Sequence, residues 1–231
     1  MTFAHRTPPL RRTPVWVALA ALFSLGCAAE ATPEAEADPR LQNPLLQLSR
    51  FAEDAPETFR ARFETTEGAF VIEVHRDWAP LGAERFYNLV RGGWYDGVRF
   101  HRVLDGFVAE WGIHDDPWVN AGWRRQLLRD DPRTQPNSRG RIAFSKSGPN
   151  SRTTQVFISL GDNRGLDDEG FAPFGEVVEG MEVVLALHSG YGDGPPRGDG
   201  VYQAMAIARG GDYLDEEFPE LDRILTAVVE G

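Results

Sequence analysis

The chain has one cysteine, Cys27, among its 231 residues. It can form no internal disulfide, and it has no pair of thiols for a zinc ribbon or a redox motif. Cations are outnumbered: 24 Lys and Arg stand against 35 Asp and Glu, a net charge of −11. A chain of that sign repels polyphosphate, so nucleic acid is not an expected partner. No apolar run reaches the ~20 residues of a membrane-spanning helix. There is no internal repeat and no alternation of strand and helix, which sets aside solenoids and parallel α/β sheets. Nucleophile elbows, phosphate loops and paired-cysteine motifs are also missing.

What is present is ordinary for a soluble globular protein: 42% hydrophobic and 26% charged residues, enough for one domain with appendages. The N-terminus reads as a targeting segment. Arg6, Arg11 and Arg12 precede the apolar stretch Val15 to Gly26, which is followed at once by Cys27. This resembles a bacterial lipoprotein signal, with Ser24 where leucine is usual and Leu25 one place late. Residues 1–27 are therefore expected to be a signal peptide of lipoprotein type and Cys27 the lipidation site. The protein is then exported and held to a membrane of the cell envelope or periplasm through its lipid. Residues 28–58, beginning AAEATPEAEADPR, lack the apolar content to order themselves and read as a tether, ending in a short helix near Pro44 to Phe51.

Periodicity organises the rest. Phe63 and Thr65, then Phe70, Ile72 and Val74, alternate with polar residues on either side of Glu67-Gly68, which predicts a hairpin. Pro80 to Arg91 carries Leu81, Phe86, Leu89 and Val90 at helical spacing, with proline in the first turn and Gly92-Gly93 beyond the end. Strands are expected at Val98–Val103, Arg141–Phe144, Gln155–Leu160, Phe174–Val178 and Tyr202–Ala208, and a second short helix at Met181–His188. Residues 114–139 form a polar excursion without clean period. Asp212 to Val229 reads as a C-terminal helix interrupted at Pro219. Many short strands with two core helices argue for a mainly β fold, a closed antiparallel barrel with helices at its ends.

Four motifs then occur in order: FHRVLDGF at 100–107, GRIAF at 140–144, GPNSRTTQVFI at 148–158 and FGEVVEGM at 174–181. Together they resemble the cyclophilins, the peptidyl-prolyl cis-trans isomerases, over about residues 60–210. The resemblance implies an eight-stranded antiparallel barrel capped by two helices, here residues 59–210, with 211–231 as a helical extension. It implies no cofactor and no metal. It makes Arg102 the catalytic cation. Phe107, Phe157 and Leu166 become the proline pocket, Gln155 a hydrogen-bonding partner of substrate backbone, and His101 a supporting neighbour of the arginine.

The residue types suit the reaction. An X-Pro bond has little trans preference but a barrier of ~18–20 kcal/mol set by amide resonance. Nothing covalent is needed to lower it. A fixed cation aimed at the twisted amide stabilises it electrostatically, and arginine stays charged and presents a rigid fork.

Four places depart from the family pattern. Glu110 stands where a neutral glutamine commonly orients the arginine; a carboxylate holds it more tightly and offsets its field. Phe171 replaces a pocket histidine, and Gly165 a tryptophan important for cyclosporin binding, so weak cyclosporin binding is expected. Lys146, within Ser145-Lys146-Ser147, is expected to favour acidic residues near the proline. Three weaker signals are set aside: His114-Asp115-Asp116 lacks a second histidine or cysteine at ligand spacing, 162–170 has Arg164 and Leu166 where calcium needs oxygen, and Arg197-Gly198-Asp199 is a chance triplet. The expected function is isomerisation of X-Pro bonds in exported proteins by a monomer, the alternative a proline-peptide-binding or chaperone module with weak or no turnover.

Overall fold

A computed structural model describes residues 42–230. The expected signal peptide, Cys27 and most of the tether lie outside the described residues. Eight antiparallel strands form one curled sheet in the order β3-β4-β6-β5-β7-β2-β1-β8. They are β1 (Thr58–Thr65), β2 (Gly68–His75), β3 (Arg102–Leu104), β4 (Val108–Trp111), β5 (Arg141–Phe144), β6 (Val156–Ser159), β7 (Pro173–Glu179) and β8 (Ile224–Val229). The hairpin β1–β2 turns where the alternation places it, with Thr65 opposite Gly68.

The sheet is not zipped shut. β3 and β8 stand at its two ends without pairing as strands. The seam is an isolated bridge, Arg99 to Arg223, flanked by hydrogen bonds from Phe100 N–H to the Asp222 carbonyl (2.9 Å) and from Ile224 N–H to the Val98 carbonyl (2.9 Å). The expected closed barrel is thus corrected to a curled sheet with a stitched seam. Arg99 is buried there between the carboxylates of Asp115 and Asp215, which satisfy its charge.

Inside the curl, aromatic rings fill the core. Phe63, Phe70, Phe86, Phe100 and Trp111 are fully buried and in mutual contact, Phe63 stacking on Phe70 at 5.0 Å. Helix α1 (Pro80–Arg91) packs its apolar stripe on this core. Its first residue is proline and its N-cap, Ala79, offers no side-chain acceptor. The missing cap comes from far along the chain: Asp131 accepts hydrogen bonds from the N–H groups of Leu81 and Gly82, both at 2.9 Å, and is itself held by Arg152 at 3.0 Å. The excursion 114–139 is therefore tied down as the cap of α1, and it contains a helix of its own, α2 (Pro117–Trp123).

Two other expectations change near the C-terminus. Residues 202–208 are not a strand: α5 (Gln203–Arg209) is helical, because QAMAIAR is rich in helix formers and too short for its alternation to decide. The 211–231 extension is not all helix either. Helix α6 (Gly211–Glu217) ends before Pro219, and the β-branched run ILTAVV becomes β8, paired along β1. The barrel domain thus runs past 210. A second, smaller core of Ile113, Val201, Ala206, Tyr213, Leu214, Phe218 and Leu221 holds α5 and α6. The short helices α3 (Gly165–Asp168) and α4 (Met181–Ala186) complete the set. Pro44–Leu46 and Leu48–Phe51 form 3-10 turns rather than one helix, and they pack on the domain, with Phe51 edge-on to Trp123 at 4.7 Å.

Candidate active site

One cross-strand row builds the site. In the antiparallel register Arg102 of β3 faces Glu110 of β4, Glu110 faces Phe157 of β6, and Phe157 faces Ala143 of β5. Residues opposite one another share a face and touch. Strand alternation sends the neighbours Ala109, Trp111, Val156 and Ile158 into the main core. The outer face carries its own apolar cluster instead: Val108, Ala143 and Phe157, with Phe107, Leu166 and Phe171 packed on it.

Phe107 reaches this face from the β3–β4 turn, where Gly106 takes φ +71° and Phe107 N–H bonds to the Leu104 carbonyl at 2.9 Å. The Phe107 carbonyl in turn accepts from the Leu160 N–H (2.8 Å) and from the Asn163 amide (2.6 Å), so the turn is braced. Phe157 and Phe171 meet edge to face at 5.6 Å. Above them lies a cleft of about 560 Å³ whose lining includes Arg102, Phe107, Glu110, Gln155, Phe157, Leu166 and Phe171. Seven of the eight residues expected at the site are thus gathered in one place.

The eighth, His101, is not. It is buried and absent from the cleft wall, and neither ring nitrogen has a hydrogen-bond partner. Side-chain alternation explains this: with Arg102 on the cleft face, its neighbour is turned away. Burial lowers the His101 pKa, against the pull of the Glu110 carboxylate and aided by the charge of Arg102, so the ring is a neutral packing residue. It stands behind the cleft wall, close enough to Glu110 and Arg102 to feel both charges. His114, Asp115 and Asp116 also have structural duties: His114 Nδ1 accepts from the Asp116 N–H (2.9 Å), Asp115 pairs with Arg99, and Asp116 caps α2.

Arg102 has two carboxylate partners, not one. Its Nη1 donates to Glu110 at 3.2 Å, while Nε and Nη2 donate to the two oxygens of Asp193 at 2.8 and 3.4 Å. Its guanidinium carbon stands 5.7 Å from the centre of the Phe107 ring. Burial works against its charge, but the Asp193 hydrogen bond and both carboxylates outweigh burial and hold its pKa above the usual arginine value. The hydrogen bond from Arg102 is the main cause that holds Asp193 below the ordinary carboxylate range. Asp193 was not foreseen. It lies 91 residues from Arg102, and no local pattern links them. The only cue is its setting, a glycine- and proline-rich loop, GYGDGPPRGDG at 190–200.

Two further details bear on ligands. Gln155 Oε1 is buried without a hydrogen-bond partner although the residue lines the cleft. Lys146 is less free than expected, because its ammonium is bonded to Asp130 (3.2 Å) and to the Gly170 carbonyl (3.0 Å). The attraction expected toward acidic substrate residues is thereby largely spent within the protein.

With this geometry in hand, comparison with known proteins is direct. The family model for "Cyclophilin type peptidyl-prolyl cis-trans isomerase/CLD" matches residues 60–209. The chain belongs to the cyclophilin family. It is 28% identical over 160 residues to peptidyl-prolyl cis-trans isomerase B of Escherichia coli, covering 63% of this chain and 98% of that one. It is 33% identical over 146 residues to peptidyl-prolyl cis-trans isomerase A of Dickeya dadantii, covering 60% and 77%. Among solved structures, a cyclophilin from Cryptosporidium parvum superposes with a TM-score of 0.56 at 18% identity, over 75% of this chain and 98% of that one. The same parasite protein in the presence of the dipeptide Ala-Pro gives 0.55 at 19% identity, over 74% and 99%. The cyclophilin match stops short of β8, which the fold nonetheless requires as the partner of β1.

Proposed function

We propose that this cyclophilin accelerates rotation about X-Pro peptide bonds in flexible or unfolded segments of exported proteins. The observation that carries the reading is a charged donor at the edge of an apolar floor: the Arg102 guanidinium 5.7 Å from the Phe107 ring, with Phe157, Leu166 and Phe171 beside it. An apolar floor holds a proline ring. Gln155 is available to hold the flanking backbone. As the amide twists, its nitrogen gains basicity and its carbonyl loses double-bond sharing, and a cation placed there stabilises that state more than the planar one. The presence of Ala-Pro with the Cryptosporidium relative fits a cleft of this kind. An NMR-exchange or protease-coupled assay on an X-Pro peptide tests the reading. Acceleration that Arg102→Ala removes supports it, and equal rates in wild type and Arg102→Ala overturn it.

A second reading, a proline-peptide-binding module with weak turnover, is favoured by one observation, the pair of carboxylates on Arg102. Peptide affinity without acceleration in the same assay selects it. Export and lipidation at Cys27 rest on the N-terminal signal alone. Membrane fractionation of Cys27→Ser against wild type tests them, with loss of membrane association in the variant expected and an unchanged distribution against them.

A further inference from the structure

The carboxylate of Asp193 occupies the Nε–Nη2 edge of Arg102, the edge that best grips a planar or bidentate acceptor. With Glu110 on Nη1, three of its five N–H groups are engaged, by two carboxylates. Arg197 Nη1 stands 3.7 Å from the same Asp193 carboxylate, so two cations and two anions meet here and the charge of Arg102 is offset where a twisted amide would need it. The loop that brings Asp193 there is a small closed unit. The Asp193 carbonyl accepts from Gly200 N–H at 2.9 Å, and Gly194 accepts from the N–H groups of Arg197 and Gly198 at 3.1 and 3.3 Å. Its two flanks are anchored on the C-terminal core: Tyr191 packs edge-on to Phe218 at 5.0 Å, and Val201 is buried in that core. The tip between them, Pro195 to Arg197, is exposed and lines the same cleft as Phe107 and Phe157. Apart from its own backbone bonds, the tip's polar hold on the domain, among the described residues, is the Asp193–Arg102 pair.

We propose that Asp193 is a gating residue of the cyclophilin cleft: the Asp193–Gly200 loop is a built-in occupant, and a proline-containing peptide binds by taking Arg102 from the Asp193 carboxylate. Glu110, fixed on the neighbouring strand, keeps the arginine in place while the loop gives way. This rests on the reading of the cleft as a proline-peptide site, and it adds a specificity rule. A peptide gains access by offering Arg102 an acceptor that replaces the Asp193 carboxylate, so substrates with a carboxylate beside the proline are preferred over those that offer only a backbone carbonyl.

The test uses the full chain and its Asp193→Asn and Asp193→Ala variants, with one X-Pro peptide read in two ways. Binding is followed by calorimetry, and turnover by NMR exchange. Both variants are expected to bind about three- to tenfold more tightly than wild type, with KM falling more than kcat changes. Asn keeps the size of the side chain, so a folding defect in the Ala variant leaves the test intact. Affinity unchanged or weakened in a folded Asp193→Asn overturns the gate. If affinity tightens while neither wild type nor variant accelerates isomerisation, the gate stands and the isomerase reading fails.

Discussion

The two halves of the cleft are built by different means. The apolar half is local and over-determined: Phe157, Val108 and Ala143 come from three adjacent strands, and their position follows from register and alternation. The charged half is assembled from a distance. Arg102 and Glu110 sit opposite each other on β3 and β4, but the third member, Asp193, arrives on a loop anchored to a separate core. Rings tolerate small shifts because packing is non-directional, whereas a guanidinium fork loses its bonds within a few tenths of an ångström. On the proposed reading, the apolar half sets whether a proline is held, and the charged half whether it is turned.

The sharpest way to break this division is Arg102→Ala. Turnover should fall by about 10²-fold or more, with peptide affinity changed far less and the melting temperature lowered, because buried Glu110 loses its partner; an assay of both rate and affinity, beside a melting curve, checks it. Phe107→Ala addresses the other half. Its ring is only half-buried, so the fold should survive while affinity for an X-Pro peptide weakens about tenfold, measured by calorimetry. Glu110→Gln keeps the hydrogen-bonding shape and removes one of the two anions on Arg102. Turnover should rise about threefold, and an unchanged kcat/KM removes Glu110 as a brake.

The smallest effect concerns pH. His101 and His114 are held below the ordinary imidazole pKa, chiefly by burial. The unfolded chain therefore binds more protons than the folded one, and their contribution to stability is present above about pH 6.5 and is lost as pH falls from there toward the depressed folded values. In a series of melting curves from pH 7.5 to 5, His101→Leu should show a shallower decline than wild type. An equal slope would mean that the buried ring takes no part.

Much of this was legible in the sequence. The β1–β2 hairpin and helix α1 from Pro80 to Arg91 fall where periodicity places them, because each turns its apolar positions to the main core, and strand β5 from Arg141 to Phe144 falls where a short apolar run places it, because it is covered on both faces. The apolar floor was readable through its motifs. Errors cluster where pattern is ambiguous or distant. YQAMAIA alternates like a strand but is short and made of helix formers, and ILTAVV carried a strand signal in its β-branched residues that the preceding helical stretch masked. The Asp131 cap on α1 and the Asp193 clamp on Arg102 join residues 49 and 91 positions apart, and only tertiary structure brings such groups together.

The stitched seam has a consequence for where the protein can be cut. β8 covers the outer edge of β1, from Ala61–Val229 to Thr65–Ile224. A chain stopped at residue 210, where the recognisable family pattern ends, would bare that edge as a row of unpaired N–H and C=O groups on a strand apolar on one face. Such an edge recruits another strand from a neighbouring molecule. Strand β8 is what keeps this sheet from becoming sticky, and expression of a chain truncated before it should yield aggregates rather than a smaller working domain.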